Sequence, residues 1–184
     1  MPGKARPLLE VLLVHRWNIA ILAELERGAG AKFVTLANRL SIGRASLTRS
    51  LRYLVARGLV RRNTGYGHPL RPEYLLTPAG ATVAPACLAL ATQVAKAGAA
   101  KAAYSKWGLP LLAAIGEGAV RFNALRGAVG VLTPRAQTLA LKSLEAAGWV
   151  VRDVDAGYPP VVTYRASEAG RAVQRILVAL PEHA

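Results

Sequence analysis

The chain holds one cysteine, Cys87, in 184 residues, so no disulfide can form within it. Histidine is nearly as scarce. His15, His68 and His183 lie far apart, and with a single cysteine they supply no zinc spacing, so neither a metal nor any other cofactor is expected. There is no glycine-rich phosphate loop, no Ser-His-Asp or Cys-His arrangement and no pair of acids spaced for proton transfer, and the sequence is not expected to be an enzyme. Nothing near the start joins a charged segment, an apolar core and a cleavage site. The most apolar run, "AGATVAPACLALAT" at 79–92, is interrupted by Pro85 and followed by Gln93 and Lys96. It falls short of the ~20 residues a membrane span requires and is expected as a buried helix. No membrane partner is expected, and the place expected for the protein is the cytoplasm, associated with the nucleoid.

Acids are few as well. Ten Asp plus Glu stand against 24 Lys plus Arg, a formal charge of +14, and the isoelectric point is about 10.9. Such a balance suits a protein that meets a polyanion, with nucleic acid the leading partner. A solvated basic surface, or the composition of a GC-rich gene, leaves the same trace. The 53% hydrophobic content and mean hydropathy of +0.27 are ample for packed cores.

The organisation follows from an internal repeat. Trp17 and Trp107, Gly58 and Gly148, Tyr74 and Tyr164, and Gly80 and Gly170 are each 90 positions apart, while Phe33 and Phe122, and Leu36 and Leu125, are 89 apart. A single-residue indel in a loop accounts for the difference. In each copy "RWNIAILAELERG" or "KWGLPLLAAIGEG" has helical apolar spacing and stops at glycine. "KFVTLANRL" and "RFNALRGAV" are shorter amphipathic turns, and the loops "SIG" and "GVLT" lead into a further helix. Helix, tight turn and helix form the unit that presents a helix to DNA.

That further helix runs over about 44–57 in the first copy. Leu47, Leu51 and Leu54 form its inward stripe, which turns Ala45, Thr48, Arg49 and Arg52 outward. In the second copy Thr133 is an N-cap and Pro134 occupies the first helical position, so the helix starts there and runs to about residue 147. Next come "LVRRNTGYGHPLRPEYLLT" and "WVVRDVDAGYPPVVTYRAS", each two β-prone runs around a Gly/Pro turn, hence a hairpin or wing. The expected architecture is mostly α with small β-hairpin wings: two tandem winged helix-turn-helix domains forming an intrachain pseudo-dimer. Residues 1–80 are expected as the first domain, 81–104 as a linker helix, and 105–184 as the second domain with its C-terminal helix.

The pieces "KWGLPLL", "RFNALRGAVGVLTPRA", "LKSLEAAGWVVR" and "YPPVVTYRASEAG" together resemble the HxlR-type winged-helix transcription regulators. The first copy follows the same order with "RWNIAIL", "KFVTLANRLSIGRASLTRSL", "LVARGLVRR" and "HPLRPEYLLTPAG". The resemblance implies a bacterial DNA-binding regulator of a family whose members usually carry one domain and dimerise through terminal helices. This chain departs from the pattern by carrying two domains and by lacking the cysteine the family often has shortly before the Trp, which puts a redox switch there in doubt.

The function expected is sequence-specific regulation of transcription on double-stranded DNA, with a recognition helix of each copy in the major groove and the wings on backbone or minor groove. A fused pair provides the second half at high effective concentration, so the protein is expected as a monomer; any small-molecule effector is unknown. Arg49 and Arg52 are the leading candidates for base or phosphate contact, with Arg44, Ala45 and Thr48 beside them. Arg61, Arg62 and Arg71 flank the first wing as phosphate anchors, and His68 at its tip is either a phosphate or minor-groove contact or simply solvated. The second copy's candidates are Pro134, Arg135, Thr138, Lys142, Arg152 and Tyr158. Trp17 and Trp107 are expected in core or interdomain packing, and Tyr74 and Tyr164 as packing residues of the returning wing strands. Two alternatives stay open: a tandem winged-helix module for protein interaction, and a nucleoid-type binder with little sequence preference.

Overall fold

The computed structural model describes residues 7–63, 73–116, 118, 120–158 and 160–181. By its internal packing the chain divides into two compact units, one built on Glu10–Thr92 and the other on Gln93–Ala179. After α1 (Pro7–Leu13), the first unit runs α2 (Asn18–Gly28), β1 (Ala31–Lys32), α3 (Phe33–Leu40), α4 (Arg44–Ala56), β2 (Val60–Asn63), β3 (Glu73–Leu76) and α5 (Pro78–Ala97), whose residues from Gln93 on belong to the second unit. After α6 (Ala100–Ala103), the same order returns as α7 (Gly108–Ile115), β4 (Val120–Arg121), α8 (Phe122–Ala128), α9 (Pro134–Ala146), β5 (Val150–Asp155), β6 (Val161–Ala166) and α10 (Glu168–Val178).

Each wing is an antiparallel hairpin, with Arg62 opposite Tyr74 in one and Arg152 opposite Tyr164 in the other. Each hairpin gains a third, two-residue strand that sequence pattern assigns to the following helical turn. Ala31 pairs with Tyr74, and Val120 with Tyr164, giving the orders β1-β3-β2 and β4-β6-β5. Two residues are too few for a period-2 pattern to show.

The 90-residue pairs have backbone causes. Gly58 and Gly148 have φ +70 and +69 and close α4 and α9 in the same way. The N–H of Leu59 reaches back to the Leu54 carbonyl, and that of Trp149 to Leu144, both at 3.0 Å. A Cβ on Gly80 would collide with the Leu59 carbonyl, and one on Gly170 with that of Trp149. At these two positions helix and strand approach closely enough to require glycine.

Other helix ends depart from expectation. The left-handed residue that ends α2 is Ala29 at φ 49, with Gly28 still helical. Pro85 does not break α5, which runs for 20 residues with the proline inside it. By length and composition α5 could cross a membrane, with 33% of its apolar window buried. Its buried residues Val83, Ala84, Cys87, Leu90 and Val94 recur at helical spacing, the pattern of a helix packed along one face. The single helix expected over 81–104 is divided by Gly98 at φ 59, where the N–H of Ala99 bonds to the Val94 carbonyl at 2.9 Å.

The expected stripe Leu47, Leu51 and Leu54 is fully buried and packs with Ile19, Leu22, Leu25 and Leu36 as the core of the first unit. Glu24 is buried beside them, paired with Arg27 and, at 3.6 Å, with Arg39 of α3. In the second unit Leu109, Leu112, Leu125, Leu141 and Leu144 are buried, as is Trp149, the most buried tryptophan. Trp17 and Trp107 are half-buried at the N-caps of α2 and α7, under the cations of Arg16 and Lys106 at 4.9 and 4.6 Å. They do not belong to the fully buried core.

Candidate nucleic-acid interface

In the first unit α4 follows a short turn at 41–43 that seats buried Ile42 against the core. With Leu47, Leu51 and Leu54 inward, the helix exposes Arg44, Ala45, Ser46, Arg49 and Arg52, and half-exposes Thr48. Ala45, Arg49 and Arg52 stand at i, i+4 and i+7, one above another on the open face. Arg61 and Arg62 on β2 are also exposed. None of these five arginines has an ion-pair partner among the described residues. Arg57, which carries no signal in the sequence, caps α4 with its guanidinium 5.1 Å from the Tyr53 ring. His68 and Arg71 lie outside the described residues.

In the second unit α9 begins as expected. Thr133 accepts from the Ala136 N–H at 3.3 Å and Pro134 sits exposed in the first turn. Its open face carries Arg135, Thr138, Leu139 and Lys142; the Thr138 hydroxyl is turned back to the Pro134 carbonyl at 2.9 Å. Arg135, Leu139 and Lys142 repeat the i, i+4, i+7 stripe of α4 with a leucine at the centre. Leu139 is 57% exposed. It is not among the candidates from sequence, although its alignment with Arg49 at the 90-residue offset is a signal that points to it. The inward position equivalent to Leu47 is Gln137, fully buried, whose Nε2 donates to the Phe122 carbonyl at 2.6 Å and so ties α9 to the start of α8.

The second turn, 129–133, is longer than the first. It leaves Val131 97% exposed and opens a shallow groove of about 490 Å³ along α8 that includes Arg126 and Gly130. On the second wing Arg152 is exposed, and Tyr158 stands fully in solvent beyond β5. Two acids, Asp153 and Asp155, lie on β5. Asp153 is neutralised across the hairpin by Arg165 at 2.8 Å, and Asp155 accepts from the Gly157 N–H at 3.2 Å. Among the described residues the first wing thus presents Arg61 and Arg62 without ion-pair partners, where the second presents Arg152, the closed pair of Asp153 and Arg165, and the carboxylate of Asp155. Among the described residues no group of His, Cys, Asp and Glu is placed to hold a metal.

The comparisons with known proteins agree with this geometry. The family model for the HxlR-like helix-turn-helix matches twice, at residues 12–101 and 103–184. An uncharacterised HTH-type transcriptional regulator of Methanothermobacter thermautotrophicus is 35% identical over 77 residues, 42% of this chain and 59% of the relative. The uncharacterised regulator YybR of Bacillus subtilis is 39% identical over 66 residues, 36% of this chain and 53% of its own length. YtfH of Escherichia coli, also an uncharacterised HTH-type regulator, is 32% identical over 78 residues, 42% of this chain and 62% of its own. The chain therefore spans between 53 and 62% of these three relatives. No solved structure matches it significantly. The kinship is with regulators rather than enzymes, and the chain belongs to the HxlR-like helix-turn-helix family, with the family's domain present twice.

Proposed function

We propose that this protein regulates transcription by binding duplex DNA at a two-part site, α4 and α9 each entering a major groove and the wings resting on the backbone. The observation that carries this reading is the outward stripe of α4. Arg49 and Arg52, unpaired among the described residues, stand over a leucine stripe that fixes the helix on its core. Exposed guanidinium groups on such a helix suit the O6 and N7 acceptors of guanine and the phosphates beside them. Fusion of two copies replaces dimerisation, so the binding species is a monomer and its place is with the chromosome in the cytoplasm.

A salt titration of binding to random duplex DNA tests the reading. If about five to eight phosphates are neutralised, log K falls against log salt with a slope of about −4 to −7. A slope near zero overturns it and returns the fold to a protein-interaction role. Selection from random-sequence duplexes then separates a specific regulator from a binder with little sequence preference.

A further inference from the structure

The two recognition stripes differ most at their centres. In α4 the series is Ala45, Arg49 and Arg52; in α9 it is Arg135, Leu139 and Lys142, with Leu139 57% exposed. The leucine is not needed by the core, because Gln137, Ala140, Leu141 and Leu144 form the buried side of α9. Nor does it lie in an apolar field, since both neighbours on the stripe are cations. An apolar protein surface laid over this stripe would have to bury Arg135 and Lys142 along with it, which is costly without acids to pair them. Duplex DNA offers phosphates for the two cations and, in the major groove, one apolar group: the 5-methyl of thymine.

We propose that Leu139 reads a thymine methyl in the half-site bound by the second copy, and is the residue that makes the two half-sites differ. The proposal rests on the DNA-binding reading above. Arg49, at the same point of the first helix, has donors suited to guanine, whereas a leucine has none and gains only by covering an apolar group. Cytosine, which lacks the methyl and presents an amino donor, is disfavoured at that position.

The test uses the full chain and the duplexes it selects from a random-sequence library, each remade with deoxyuridine in place of thymidine at one position at a time. Uracil pairs as thymine does and lacks only the methyl. In one half-site a single replacement should weaken binding by the parent about fivefold, as expected when one methyl is removed from an apolar surface it covers. Leu139→Ala should bind the thymine and uracil duplexes equally, while Arg49→Ala with Arg52→Ala should keep the fivefold difference. Leu139→Arg should shift selection at that position from thymine towards guanine.

A parent indifferent to uracil at every thymine overturns the proposal, as does a loss of the same size in Leu139→Ala. A Leu139→Ala protein with unchanged affinity for every duplex would assign the leucine to a protein-facing role, and also overturns it. Each of these leaves salt-dependent binding to random duplex intact. Loss of that binding in the parent would instead remove the DNA reading itself.

Discussion

The Thr77 hydroxyl donates to the Gly58 carbonyl at 2.5 Å and accepts from the Gly80 N–H at 3.0 Å. One side chain thereby caps α5 and fastens it to the end of α4. Ninety residues on, Ser167 repeats both bonds with Gly148 and Gly170 at 2.6 and 3.0 Å. Thr77→Ala and Ser167→Ala should each destabilise the protein by about 1–2 kcal/mol in urea unfolding, and Thr77→Ser should change it little. Equal stability of Thr77→Ala and the parent would show that the joint is idle.

At Gly80 and Gly170 the space for a side chain is taken by the carbonyls of Leu59 and Trp149. Gly80→Ala should cost about 1–3 kcal/mol by forcing α5 away from the sheet. Gly43→Ala meets nothing within 4 Å at an ordinary φ of −64 and serves as the control, expected near neutral in the same assay.

Burial pushes the Cys87 thiol from 9.0 up to about 12. Above pH 9 the unfolded chain releases this proton while the folded one keeps it, so stability contributed by the neutral thiol is lost as pH rises from about 9 towards 12. Below about 9 both states hold the proton and the group has no effect. Thermal melts at rising alkaline pH should therefore decline more steeply for the parent than for Cys87→Ser. Since the thiol is buried and un-ionised at neutral pH, mild oxidant should leave DNA affinity unchanged in both. Release of DNA by the oxidised parent but not by the mutant would contradict this.

The two copies should contribute unequally. Arg49→Ala with Arg52→Ala is expected to weaken specific binding more than Arg135→Ala with Lys142→Ala, by about 1–3 kcal/mol for each base that is no longer read. The wings add to the difference: Arg61 and Arg62 are unpaired among the described residues, whereas Arg165 is held by Asp153. Equal decreases, or a footprint with identical half-sites, would count against it.

Light scattering of the free protein should return the mass of one chain, 19.4 kDa. A stable homodimer at micromolar concentration would turn the two-domain reader into a four-domain assembly.

Much of the fold is legible in the sequence where a local rule and the repeat agree. Thr133 followed by Pro134 marks the start of α9, and Leu47, Leu51 and Leu54 mark the buried side of α4, because capping and helical spacing are local properties. The strands at Ala31–Lys32 and Val120–Arg121 are not legible; they exist only through pairing with residues more than 40 positions away. Pro85 looks like an interruption, yet a proline on an exposed helix face forfeits one hydrogen bond and the helix runs on. Trp17 and Trp107 stand out by their spacing, but Trp149 is the one the core encloses, and burial depends on tertiary neighbours that spacing does not name. The neutralisation of Asp153 by Arg165 likewise depends on hairpin register. Sequence alone suggests two free acids there.

The contrast between Arg49 and Leu139 has a genetic consequence. When a regulator is built from two identical chains, a codon change in the recognition helix alters both half-sites together, and its target must mutate twice to follow. On the two-part site proposed above, one codon would rewrite one half of the target. A single point mutation in the DNA would then match it, placing new binding sites one mutational step away instead of two.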